Sequence, residues 1–119
     1  CVDGVCECPA DLEPVSFTQD LLPILEGCSG GQCHGGPAGP MGLELDAARA
    51  YDDLVGQPAV ECDDERLLVD PGAPAESYLI HKLLGVRMCS GSAMPKNEGV
   101  DEAFVEPFVA WICAGAPEN

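Results

Sequence analysis

Cys28-Ser29-Gly30-Gly31-Gln32-Cys33-His34, followed by Gly35-Gly36, holds two thiols close in sequence and an imidazole directly after the second. Each thiol can add across a vinyl group of a porphyrin, and an imidazole beside the second can bond the iron, so these residues are what covalent haem attachment needs. The common attachment signature has two residues between its cysteines, and this chain has four. The Cys33-His34 adjacency is the geometrically demanding part, because the thioether and the iron bond anchor neighbouring residues to one macrocycle, and it is intact. Ser29-Gly30-Gly31 supplies backbone that takes positive φ at little cost and can bulge away from a ring. The competing reading of the stretch is a local Cys28 to Cys33 disulfide beside an ordinary histidine.

The flanking segments must deliver these residues. Ser16-Phe17-Thr18-Gln19 has the form of a capping box, Ser16 on the Gln19 amide and the Gln19 side chain reaching back. It predicts a short helix to about Glu26 with Phe17, Leu21, Leu22, Ile24 and Leu25 on a broad apolar face. Pro23 should kink this helix or confine it to less than two regular turns, and Gly27 then delivers the chain to Cys28. After His34, residues 35 to 42 are a glycine- and proline-rich loop able to lie against a flat ligand. Asp46 can cap a helix to about Val55, stopped at Gly56, with Arg49 and Asp53 as an exposed i,i+4 pair.

Asp63-Asp64-Glu65 raises the thought of calcium, but the EF-hand pattern is absent and a solvated loop with the turn Asp70-Pro71-Gly72 is expected. Pro74 can open a helix through Leu84, ended by Gly85, with Leu79, Ile80, Leu83 and Leu84 as its buried side and His81 on its surface. A loop carrying Met88, Cys89, Met94 and Pro95 follows. The last helix begins near Asp101 or after Pro107 and runs to Cys113, with Phe104, Phe108, Trp111 and Ile112 closing a core and Gly115 as its stop. Residues 1–12 hold three cysteines in eight positions and no helical period, so they read as a short disulfide knuckle extending a domain over 13–119.

The chain of 119 residues carries 14 glycines and 11 prolines, which makes much of it turn and loop. Eight cysteines in so short a chain indicate an oxidising compartment. If haem takes two, the remaining six allow three disulfides in fifteen pairings. With 21 acidic and 5 basic residues the formal charge is −16, which excludes nucleic acid and anionic membrane surfaces as favourable partners. A basic redox partner would be steered in over a Debye length of about 8 Å; the plainer reading is that the acidity keeps an exported protein soluble.

No run approaches the about 18 apolar residues of a membrane-spanning helix. An exported protein needs a signal peptide and the sequence shows none, so a mature or trimmed form is expected. Cys1 is either a lipidated N-terminus or a plain disulfide cysteine.

Several further pieces occur in a specific order: Pro23-Ile24-Leu25 before the motif, Cys33-His34-Gly35, Gly42-Leu43-Glu44-Leu45-Asp46, Pro71-Gly72-Ala73-Pro74 with Ser77-Tyr78-Leu79, Lys82-Leu83-Leu84-Gly85, Met94-Pro95, and Trp111-Ile112 with Gly115-Ala116. Over about residues 16 to 117 the chain resembles the monohaem class I cytochrome c domain. The resemblance implies an all-α, loop-rich fold of helices around one covalent haem c, with His34 as the proximal iron ligand, Met94 as the distal one, and thioethers at Cys28 and Cys33. A thioether on a loop stiffened by Pro95 is a soft donor that favours ferrous iron and raises the reduction potential. Met88 and Met41 compete but lack a following proline. His81 competes as a second imidazole, against which its helical neighbours speak. Trp111 and Tyr78 read as core packing rather than electron relays.

In that family the first and last helices pack together, which implies a pairing of Cys113 with Cys6 or Cys8 and of Cys1 with the other. Cys62 with Cys89 would brace the Met94 loop.

The expectation is an exported electron carrier, periplasmic, outer-surface or extracellular, that catalyses nothing by itself and exchanges electrons with redox proteins bearing basic docking surfaces. Self-assembly between copies is compatible with it. The alternative is a non-haem, disulfide-bonded structural or interaction module, such as a subunit of an extracellular assembly. A hydrolase or metalloenzyme has little support, since two histidines 47 residues apart and no nucleophile motif leave only generic carboxylates.

Overall fold

The computed structural model describes residues 6–8, 10–11, 14–26, 49–60, 62–89, 94 and 102–119. Cys1, Cys28, Cys33, His34, the loop at 35–42, Asp46 and Pro95 lie outside the described residues, as do Met41 and the start of the helix expected from Asp46. The described residues are helical and loop-rich, and they contain no strand, only isolated bridges.

The chain enters through a π-helical turn, Phe17–Leu21, that runs into α1 (Leu22–Glu26). The Ser16 hydroxyl accepts from the Gln19 amide at 3.1 Å, the forward half of the expected capping box. The return half differs: the Asp20 carboxylate, not Gln19, accepts from the Ser16 amide at 2.7 Å. The widened turn explains this. Ser16 O takes both the Asp20 and Leu21 amides, so the residue facing back across the cap is one position later. Pro23 has no N–H to offer an α-type bond, and the regular helix that contains it is confined to five residues. Asn119 satisfies the remaining amides of the turn, its side-chain oxygen accepting from Phe17 N and its backbone oxygen from Thr18 N.

Two further helices frame the middle of the chain. The first, α2 (Ala50–Leu54), ends at Val55, and Gly56 follows at φ 74° as the expected stop. Arg49 and Asp53 pair at 2.9 Å, but only Arg49 is exposed, because Asp53 is largely covered. The helix expected over 74–84 is divided into a 3₁₀ turn, Pro74–Glu76, and α3 (Tyr78–Leu84). Ser77 is the break. It is extended, its hydroxyl accepts from Asp70 N and donates to Ala73 O, and the next two amides go to Leu67 O and Leu68 O instead of along a helix. That rotation buries Tyr78, Ile80, His81 and Leu83, leaving Leu79 and Leu84 only partly covered. Gly85 ends α3 in the left-handed conformation, as expected.

The last helix, α4 (Glu102–Cys113), starts upstream of Pro107. Its added turn brings Phe104 alongside Phe108 at 6.1 Å and Val105 into the core, which offsets the bond that Pro107 cannot make. Trp111 is the centre of the core. Its ring lies 5.1 Å from Phe17 and 6.3 Å from Tyr51, and its indole N–H donates to Pro117 O at 2.8 Å. First and last helical segments are thus joined through aromatic contact. Trp111→Ala should lower stability by about 3–5 kcal/mol in urea denaturation, since the void is too deep for the surrounding helices to collapse into it. A loss under about 1 kcal/mol would mean that Trp111 is not the centre of the core. Cys6 is buried in the same cluster.

Candidate functional site

Met94 is half-buried and packs against the core cluster. Its amide donates to Lys82 O at 3.0 Å, so the backbone at this position is fastened to α3. The described cysteines are fixed as well. Cys62 and Cys89 form a disulfide, Cys8 pairs with Cys113, and Cys6 is also disulfide-bonded. Both pairings follow the expectation, with Cys8 as the partner of Cys113. All five described cysteines are in disulfides, which persist in oxidising compartments. Among the described residues no helix is long and apolar enough to cross a membrane.

His81 differs from its expectation as a surface residue: it is 0% exposed. Its Nε2 lies 2.8 Å from Ala75 O and its Nδ1 lies 3.1 Å from Arg66 Nη1. A guanidinium only donates, so Nδ1 must accept and the proton sits on Nε2, donated to Ala75. Both ring nitrogens are therefore committed. An iron ligand needs a free lone pair, and the one lone pair here already receives Arg66. Burial pushes the imidazole below its ordinary pKa; the Ala75 hydrogen bond opposes the shift, and the Arg87 and Arg66 charges add to it.

Arg66 ties three segments together. Its side chain is 12% exposed. Its guanidinium donates to Asp64 at 2.7 Å, to Arg87 O at 2.7 Å and to His81, and it covers the Tyr78 ring at 5.5 Å. The Asp64 carboxyl is held below the usual carboxylate range, chiefly by the Arg66 hydrogen bond. Arg87 adopts φ 53°, a left-handed conformation that costs a residue with a side chain, and is held there from both ends. Its carbonyl takes Arg66, and its own guanidinium donates to Ala75 O at 2.7 Å and faces Glu76 at 3.7 Å. Two residues on, the Cys89 amide donates to the buried Tyr78 hydroxyl at 3.1 Å.

The segment leading toward Met94 is thus clamped by a disulfide, a tyrosine and two arginines. Sequence reasoning placed no weight on Arg66 or Arg87. A signal was present: Arg66, Lys82 and Arg87 are three of only five basic residues, gathered around His81 in a strongly acidic chain. Cys62, Asp64 and Cys89 also bring metal-type donor atoms together, but both sulfurs are consumed in the disulfide and the carboxylate by Arg66. The acidic run Asp63-Asp64-Glu65 is exposed, as expected of a solvated loop.

Neither a protein-family model, a curated protein nor a solved structure matches this chain.

Proposed function

We propose that the protein is an exported, disulfide-bonded electron carrier of the class I cytochrome c kind. It binds one haem through thioethers at Cys28 and Cys33, with His34 and Met94 as axial ligands. The observation that carries this reading is the Cys28…Cys33-His34 constellation. Three features of the described residues support it. Five cysteines are paired, an odd number; pairing them takes one more and leaves two of the eight, the number a doubly attached haem uses. Met94 is a soft donor half-buried against the core, tethered at its amide rather than free in a loop. His81, its rival, has both ring nitrogens engaged.

Bound haem supplies a reversible ferric/ferrous couple, and the chain supplies donors, an apolar surround and charge. Two axial protein ligands suit electron transfer rather than oxygen binding. The formal charge of −16 favours encounter with a redox partner presenting a basic face. The disulfides support export, and lipidation at Cys1 or assembly of copies would extend the same role.

A non-haem disulfide module is the second reading, favoured by the pairing of every described cysteine. One experiment separates the two. The protein is expressed in a host that attaches haem covalently, and an optical spectrum, oxidised and reduced, is taken beside an intact mass under denaturing conditions. The expected result is a strong Soret band, sharp α and β bands on reduction, and a gain of one haem mass that survives denaturation. A Cys33→Ser variant should lose the full covalent complement. Colourless protein, lighter than its reduced sequence by about eight hydrogens, would mean four disulfides and overturn the electron-carrier reading.

A further inference from the structure

We propose that His81, Arg66 and Arg87 form a proton-operated latch on the segment that leads to Met94. Closed, with His81 neutral, the latch holds that segment against α3. Open, with His81 protonated, it lets Arg66 go. His81 and Arg66 act as positioning residues, through Met94 and not on any reacting atom.

The geometry carries this. The His81 ring is enclosed by groups from every neighbouring segment: Arg66 from the loop before α3, Ala75 O and Glu76 from the 3₁₀ turn, Arg87 from the loop after α3, and Tyr78 on α3 itself. A proton arriving on Nδ1 meets a donor, Arg66 Nη1, at 3.1 Å. It also creates a cation with a second guanidinium, Arg87 Nη1, 3.4 Å from Nε2. Among the described residues no carboxylate bonds the ring; Glu76 favours its charge from a distance but faces Arg87, and Asp64 faces Arg66.

One of the cations must give way, and it is Arg66, because the new proton sits on the nitrogen to which Arg66 donates, whereas Arg87 faces a nitrogen that already carries its proton. The Asp64 partner of Arg66 is half exposed, so the pair can swing outward together. The same movement takes away the bond on Arg87 O that holds Arg87 left-handed. The segment then retains Val86 N on His81 O, the Arg87 guanidinium on Ala75 O, Cys89 N on Tyr78, Met94 N on Lys82 O and the disulfide, but loses the bond on Arg87 O.

The linkage has a definite sign. The folded protein disfavours protonated His81, so the latch contributes stability that is fully present above the unfolded histidine value of about 6.5 and is lost as pH falls below it. Only the consequence for a haem ligand, a reduction potential that becomes pH-dependent on the acid side, rests on the electron-carrier reading.

The test uses the full chain. His81 is followed by NMR ring titration, and urea unfolding is measured at about pH 7.5 and about pH 5, a window in which ordinary carboxylates stay ionised and histidine changes state. Wild type should titrate His81 below the ordinary value, and the amide shifts of Val86, Arg87 and Cys89 should move with the same midpoint. Arg66→Gln should raise that midpoint, and His81→Gln should remove most of the acid-induced loss of urea midpoint. Should His81→Gln fail to fold, the wild-type and Arg66→Gln titrations decide alone. Ordinary or raised titration of His81, or amides of the segment that ignore its midpoint, would overturn the latch. These readouts need no haem. A colourless protein that shows them keeps the latch and loses the electron-carrier reading, whereas a red protein that lacks them does the reverse.

Discussion

Replacing Cys8 and Cys113 together by serine should cost about 4–5 kcal/mol of stability, enough to remove a large share of what a domain of this size has. The two residues are 105 apart in sequence and the bond between them closes nearly the whole chain. The Cys62–Cys89 bond lies inside that ring and shortens it by 27 residues, but closure entropy depends on the logarithm of ring length, so the loss barely changes. Cys8 is exposed and Cys113 only half-buried, so little packing goes with the sulfurs. The effect therefore acts on the unfolded chain. Urea unfolding of the double variant should show a lower midpoint and a steeper dependence on denaturant, because the uncrosslinked unfolded state exposes more surface. An unfolding free energy within about 1 kcal/mol of wild type would mean that the joint between the N-terminal segment and α4 is held by packing instead. Cys6, buried against the aromatic core, is the residue that would then carry it.

What the sequence makes legible is whatever depends on neighbours along the chain. Phe104, Phe108, Trp111 and Ile112 recur at helical spacing, and α4 forms over them despite Pro107. The stops at Gly56, Gly85 and Gly115 needed only a left-handed residue at the right place, and all three have positive φ. Local reading fails where a distant group intervenes. Nothing near Ser77 announces that the Leu67 and Leu68 carbonyls will capture the next two amides and split the helix. His81 looks like a surface residue by its immediate neighbours, and only Arg66, fifteen positions away, gives its ring a buried partner. The capping box was half legible for the same reason, since the width of the helical turn is set by what the whole segment packs against. As for the candidate site, its most specific signal lies in Cys28, Cys33 and His34, outside the described residues. Its supports, Met94 and the two disulfide pairings, were reached through family resemblance rather than through spacing. Cysteine pairing is a three-dimensional property, and fifteen pairings of six cysteines are equal until a fold chooses among them.

On the electron-carrier reading proposed above, Met94→Ala should leave haem covalently attached but lower its reduction potential by a sizeable fraction of the about 0.8 V over which axial ligands set haem potentials. The proposed thioethers at Cys28 and Cys33 and the proposed His34 bond would not depend on Met94, so the mass gain should persist while the potential falls. A thioether stabilises ferrous iron relative to ferric, and water or an oxygen donor in its place reverses that preference. The cost in folding should be modest, about 1–2 kcal/mol, because Met94 is only half-buried and the amide bond to Lys82 O is a backbone bond that alanine keeps. A large potential change with a small stability change marks a ligand; the opposite pattern marks a packing residue. His81→Gln is the control. A haem held by two histidines would lose its sixth ligand in this variant, whereas the commitment of Nδ1 to Arg66 and Nε2 to Ala75 predicts that the methionine-ligated spectrum survives at neutral pH. If Met94→Ala changes neither spectrum nor potential, Met94 is an ordinary loop methionine. Met88, half-buried in the clamped segment beside Cys89, is then the thioether to replace next.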